Sequence, residues 1–141
     1  MPLTVIATQG IFTPENEKKV VPELSALMLK LHGLAGNKFM TPVVIGHLEL
    51  VSPDLIFSGG APVTAAFVEW KVPSFGFSGQ QILNDYVKEA TDIVVGLSNG
   101  SLSRKNVFVN VVHAVDGSWG IHGKAYSNAE LIAAVKADVA Y

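Results

Sequence analysis

At 141 residues the chain is long enough for one domain, 1–141, with a real core, and two domains of half that length would each be marginal. Ten lysines and arginines stand against 12 acids with no basic run to follow a phosphate backbone, so nucleic acid is not an expected partner. The absence of cysteine excludes disulfides and thiolate chemistry. No apolar run reaches the roughly 18 to 20 residues of a membrane span, and the start MPLTVIATQG lacks a signal peptide's charged region and cleavage site, which together predict a cytoplasmic protein.

Residues 3–9 read as a first strand, with Pro2 immediately before it, where a residue lacking a backbone donor is tolerated. A helix follows. Thr13 is its predicted N-cap and Pro14 its first residue, and Val20, Val21, Leu24, Leu27, Met28 and Leu31 share one face before Gly33 or Gly36 ends it. Pro22 inside this helix is expected to kink it, at a cost of about 3 kcal/mol. VVIGHLELV is a second strand and SPDLIFSGGAP a turn-rich link.

A second unit repeats the pattern. AAFVEWKV is a strand, PSFGF a connection, and Ser78 with Gln81 the predicted capping box of a helix striped by Ile82, Leu83, Tyr86, Val87, Ala90, Ile93, Val94 and Leu97. Asn99-Gly100 stops it. KNVFVNVVHAV is a fourth strand, DGSWGIHGK a glycine-rich connection, and Ser127 with Glu130 caps a short terminal helix. The expectation is an α+β fold of two β-α-β units, giving a four-stranded sheet with two helices on one face plus a short C-terminal helix. Several strands are apolar on both faces, and two helices cover only one side of a sheet. A second copy of the chain is the expected cover for the other, so an oligomer is predicted.

Removal of Met1 would convert Pro2 from an amide into a free secondary amine at the mouth of a strand. An α-amine titrates near pH 8, and burial or a neighbouring cation lowers that value, so a neutral fraction exists at neutral pH. Such a group suits proton transfer beside a ketone or on an enol. The developing oxyanion then needs donors, and a substrate carboxylate needs a cation.

The order of elements fits either a ferredoxin-like split sandwich or the paired β-α-β units of tautomerases. MP leading into a strand, two helices of this length, FSGGAP before the third strand and WG after the fourth together resemble the tautomerase superfamily, which includes macrophage migration inhibitory factor, malonate semialdehyde decarboxylase and the chloroacrylate dehalogenases. The resemblance implies a homotrimer with the amino-terminal proline of each subunit in a pocket partly walled by a neighbour, and a cofactor-independent tautomerase with Pro2 as catalytic base. The dehalogenases and decarboxylases carry arginines between the third strand and the second helix, whereas KVPSFGFSGQ has none and the sole arginine, Arg104, lies beyond the far end of that helix. Lys38 resembles the lysine that follows the first helix in migration-inhibitory-factor-like members, and Lys71 lies beside the loop where the family's cations sit. A solvated loop lysine and a strand-end gatekeeper are their plainer readings.

Asn110 is the one amide in an apolar strand, VFVNVV, where an unpartnered polar group would cost a few kcal/mol. It is a candidate donor to a ligand or a subunit interface. Phe75 and Phe77 are expected to make the pocket rim apolar, favouring an arylpyruvate-like 2-oxo acid or enol, with Trp119 of the WG step also at the site. Ser118 stands where the dehalogenases have an acid. His32, His47, His113 and His122 are dispersed, with no metal-ligand spacing, and no phosphate loop, dinucleotide fingerprint or nucleophile elbow is present. Two alternatives remain open: a non-catalytic binding or structural protein of the same fold that keeps Met1, and a dehalogenase- or decarboxylase-like protein with a displaced cationic clamp. A ferredoxin-like regulatory domain would instead form dimers.

Overall fold

The computed structural model of the chain describes residues 1–140. In order, the elements are β1 (Pro2–Thr8), α1 (Pro14–Leu31), α2 (Met40–Val43), β2 (Ile45–Val51), β3 (Phe57–Ser58), β4 (Ala61–Pro62), β5 (Ala66–Pro73), α3 (Gln80–Leu97), β6 (Val107–Ala114), β7 (Trp119–Ile121), β8 (Lys124–Tyr126) and α4 (Asn128–Ala137). The long strands form one sheet in the order β2-β1-β5-β6. β1 pairs with β2 in parallel and β5 with β6 in parallel, while β1 and β5 meet antiparallel at the centre, so two β-α-β units lie side by side. β3-β4 and β7-β8 are separate hairpins; FSGGAP turns the first of them through Gly59 and Gly60, both at positive φ.

Strand alternation sorts the sheet into two faces. Leu3, Val5, Ala7, Ala66, Val68, Trp70 and Val72 are fully buried against α1 and α3. Tyr86 of α3 links the layers: Trp70 Nε1 donates to its hydroxyl at 2.6 Å, and that hydroxyl donates to the Leu24 carbonyl of α1 at 3.2 Å. Gly46 of β2 lies opposite Leu3, where an added Cβ would sit 2.9 Å from Val21 Cγ1 of α1. Glycine here lets the helix settle onto the sheet edge.

On the other face Thr4, His47, Glu69 and Asn110 form a polar row in register. It is flanked by apolar side chains: Ile45 beside Pro2 and Val112 beside Lys71 at one end, Ile6, Phe67 and Phe108 at the other. Ile45 is 68% exposed and Phe108 50%, and Phe67 stacks on Phe108 at 5.6 Å. Neither α1 nor α3 covers this face; residues 55–57 line a hollow with Ile6 and Phe67 at one end.

Local expectations met several outcomes. Thr13 caps α1, its hydroxyl accepting from Asn16 N–H at 3.1 Å, and Ser127 and Glu130 form a reciprocal capping box on α4. α1 runs through Pro22 to Leu31 without a break, with Pro22 on its exposed side. The Ser78–Gln81 box does not form: α3 starts one residue later from Gly79, at φ 100, and Gln81 Nε2 donates to Asp85 instead. β2 is two residues shorter than VVIGHLELV because Val43 ends the one-turn α2 and the strand begins at Ile45. No described helix is long and apolar enough to cross a membrane.

Candidate active site

The antiparallel centre of the sheet brings the start of β1 beside the ends of β5 and β6, so Pro2, Lys71 and Val112 become neighbours although far apart in sequence. The β7-β8 hairpin follows β6 and adds Trp119 and Gly120. These residues, with His113 and Ser118, enclose a cavity of about 250 Å³. A second hollow of about 210 Å³ shares Pro2, Trp119 and Gly120 with the first and adds Met1, Pro42, Val43 and Ile45. A third, of about 50 Å³ and wholly apolar in lining atoms, holds Met1, His32, Met40, Phe75, Leu131 and Val135. Pro2 thus lines the first and second hollows, and Met1 the second and third.

Met1 is 8% exposed and belongs to the apolar core. Its amino group donates to the Val43 carbonyl, and burial lowers that amine from 8.0 to about 5. Ile45 N–H donates to the Met1 carbonyl at 3.2 Å, continuing the β1-β2 ladder to the first residue. Pro2 itself is exposed, as befits the first residue of a strand with no donor to pair.

The other candidates divide. Lys71 and Trp119 line the Pro2 cavity; Lys71 also lies 4.0 Å from Glu69, its neighbour on the same face of β5. Phe75 lines the small apolar hollow on the far side of Met1. Lys38 is exposed outside the lining of all three hollows, and its backbone N–H donates to Asp138. Asn110 is exposed on the open face rather than buried inside its strand, two residues along β6 from Val112, so the burial cost expected of it is not incurred. Phe77 is 1% exposed in the core against Trp70 and Tyr86, and so does not form the rim. Arg104 pairs with Asp92 of α3 beside the start of β6, at the opposite end of that strand from the Pro2 cavity.

Two histidines near the site carried no signal in their spacing. His113 lines the Pro2 cavity and donates from Nε2 to the Gly76 carbonyl at 2.8 Å; strand alternation after Asn110 would have put it on the opposite face, toward the segment after β5. His32 follows α1 and uses both ring nitrogens, Nδ1 with the Met28 carbonyl and Nε2 with the Phe77 N–H.

No known family profile matches this chain, and no curated protein matches it. Solved structures do. A fused 4-OT described as a wild-type symmetric trimer aligns over 93% of this chain and 98% of its own at TM-score 0.74 and 16% identity. Pt0534, in a structure inactivated by 2-oxo-3-pentynoate, aligns over 92% and 98% at TM-score 0.74 and 14% identity. A member of the cis-3-chloroacrylic acid dehalogenase family aligns over 94% and 89% at TM-score 0.72 and 15% identity. The chain therefore has the fold of the tautomerase superfamily.

Proposed function

We propose that this chain is a member of the tautomerase superfamily that works as a homotrimer and uses Pro2, freed by excision of Met1, to interconvert keto and enol forms of a 2-oxo acid without a cofactor. The observation that carries the proposal is the placement of the chain start, with Pro2 lining the first and second hollows beside Lys71 and Trp119 and Met1 lining the second and third. Excision would take away the side chain that separates the second hollow from the apolar third, and would expose the Pro2 nitrogen there. Apolar walls from Val43, Ile45 and Trp119 beside the chain start would lower a free Pro2 amine below its ordinary value and leave a neutral fraction at neutral pH.

A neutral Pro2 nitrogen accepts the proton from C3 of the keto acid, the C–H electron pair becomes the C2–C3 double bond, and the carbonyl oxygen gains the negative charge. The protonated amine then delivers that proton to oxygen, and the reverse order returns enol to ketone. Lys71 holds the substrate carboxylate as a point charge, which orients the reacting carbon without the fork geometry of an arginine. Trp119 and Phe75 offer apolar surface to an aryl group. Lys38 and Asn110 lie outside the site within one chain, so a role for either needs a neighbouring copy. The open face bearing Ile45, Phe67, Phe108 and Val112 is the surface such a copy would cover, next to Pro2 itself.

Ketonisation of phenylpyruvate enol is the test. Met1-free protein should accelerate it, Pro2→Ala should lower kcat/KM by about 100-fold or more, and the variant should keep the native mass of a trimer. Equal rates for the two proteins would refute Pro2 as the base. A second reading, a binding protein of the same fold that keeps Met1, is favoured by the burial of Met1 and its amine's bond to Val43. An intact mass that includes Met1 in protein from its natural source would select it. A displaced cationic clamp is disfavoured by the engagement of Arg104 with Asp92.

A further inference from the structure

One peptide unit in the segment between β5 and α3 is held from both sides by imidazoles. Its carbonyl, that of Gly76, accepts from His113 Nε2 at 2.8 Å, and its N–H, that of Phe77, donates to His32 Nε2 at 3.0 Å. The partners fix the tautomers. A carbonyl only accepts, so His113 carries a proton on Nε2. An amide N–H only donates, so His32 is bare at Nε2 and carries its proton on Nδ1, which donates to the Met28 carbonyl at 2.8 Å. Protonation therefore acts unequally on the pair. His113 would gain a proton at Nδ1 and keep its bond, whereas His32 would gain one at Nε2, where it would face the Phe77 N–H donor to donor.

The clamped peptide sits under tension from its surroundings. Phe77 has φ 50, a left-handed backbone that costs a non-glycine residue free energy, and it is held there by burial and by edge-on contacts to His32 at 4.5 Å and Tyr86 at 5.0 Å. Gly76 is packed so closely that a Cβ would lie 3.1 Å from Val72 Cβ. The segment carries Phe75, whose ring lines the apolar hollow beside Met1, and is tied to α4 where Asn128 Nδ2 donates to Ser74 Oγ at 2.7 Å.

We propose that His32 and His113 clamp the Gly76–Phe77 peptide as positioning residues that set the wall of the hollow beside the chain start, and that His32 is the proton-sensitive half, holding the segment when neutral and releasing it when protonated. The importance of that wall for turnover rests on the tautomerase reading above; the clamp itself does not. Burial lowers the His32 pKa, against the raising effect of its bond to Met28, so the clamp holds at neutral pH and weakens as pH falls below the ordinary histidine value of about 6.5. The groups facing His32 are uncharged: Met28 of α1, Leu34 and Met40 after it, Phe75 and Phe77 of the clamped segment, Leu131 and Val135 of α4. The titratable group sharing its lining is the Met1 amine, lowered to about 5 and so neutral in that window; His113 lies on the far side of the peptide.

Amide hydrogen exchange on the full chain reads the clamp without any need for turnover. At about pH 7.5, His32→Leu should speed exchange at Phe77 by about tenfold or more while buried amides of α1 and α3 stay within about threefold of wild type. His32→Gln, whose side-chain oxygen accepts but does not titrate, should restore protection. It should also abolish the loss of protection that wild type shows, after correction for intrinsic exchange, between about pH 7 and 5.5. His113→Leu should speed exchange at Phe77 without altering that pH profile. Unchanged Phe77 exchange in His32→Leu, a flat wild-type profile, failure of His32→Gln to restore protection, or equal deprotection throughout α1 would each overturn the proposal.

Discussion

Both faces of the central sheet carry large apolar side chains, and these have opposite fates. On one face Leu3, Val5, Val68, Trp70 and Val72 are sealed beneath α1 and α3; on the other Ile45, Phe67, Phe108 and Val112 meet solvent around a polar row. The sealed face holds the chain together. The open face has enough apolar surface to attract a partner, and its polar row of Thr4, His47, Glu69 and Asn110 gives that partner a register to match. Pro2 and Lys71 lie on the open face at its end, so covering that face would also wall the candidate site. On the proposed reading, assembly and activity share one surface, and folding rests on the other.

Substitutions on the two faces should separate these roles. Trp70→Ala, which empties a fully buried indole site and removes the donor to the Tyr86 hydroxyl, should cost about 3 to 5 kcal/mol in denaturant unfolding. Gly46→Ala should cost about 1 to 3 kcal/mol, because the added methyl meets Val21 and the Leu3 backbone and α1 must lift off the sheet edge. Protein that keeps Met1 should lose stability as pH falls from about 8 toward 5, since its buried amine binds a proton less readily folded than unfolded; below about 5 the loss should level off. Urea titrations at several pH values would check the window. Phe108→Asp should disturb the fold least, leaving the far-UV circular dichroism in place while native mass spectrometry shows single chains. A loss of secondary structure in Phe108→Asp comparable to that in Trp70→Ala would erase the distinction between the faces.

Much of this architecture is written locally. Thr13 and the Ser127–Glu130 pair announce helix starts through side chains that bond neighbouring backbone, Asn99-Gly100 announces an end through two residues that accept positive φ, and the apolar spacing of the long strands and helices announces what they bury. The cap of α3 misled because Gly79 reaches a backbone angle closed to other residues and starts the helix after Ser78. Phe77 misled for a related reason: its left-handed backbone turns the ring inward, where composition alone suggests a rim. Asn110 was misplaced by reading an apolar strand as buried on both faces when one is open. Pro2 and Lys71 were each placed at a strand end by the sequence, and the antiparallel pairing of β1 with β5 is what makes them neighbours. The site was illegible where contact depends on a loop path, as for His32, His113 and the single peptide they share.

The proposal that Pro2 is a free amine in a substrate pocket can be put to a covalent probe. 2-Oxo-3-pentynoate, the compound that inactivates the structurally similar Pt0534, is a ynone acid. A neutral amine adds to its alkyne, the nitrogen bonding one carbon and the displaced proton passing to the next. Incubation of Met1-free protein followed by intact mass and peptide mapping should show one adduct per chain, carried on Pro2 and absent in protein that retains Met1. Adducts confined to lysines, or none on a demonstrably free Pro2, would contradict it.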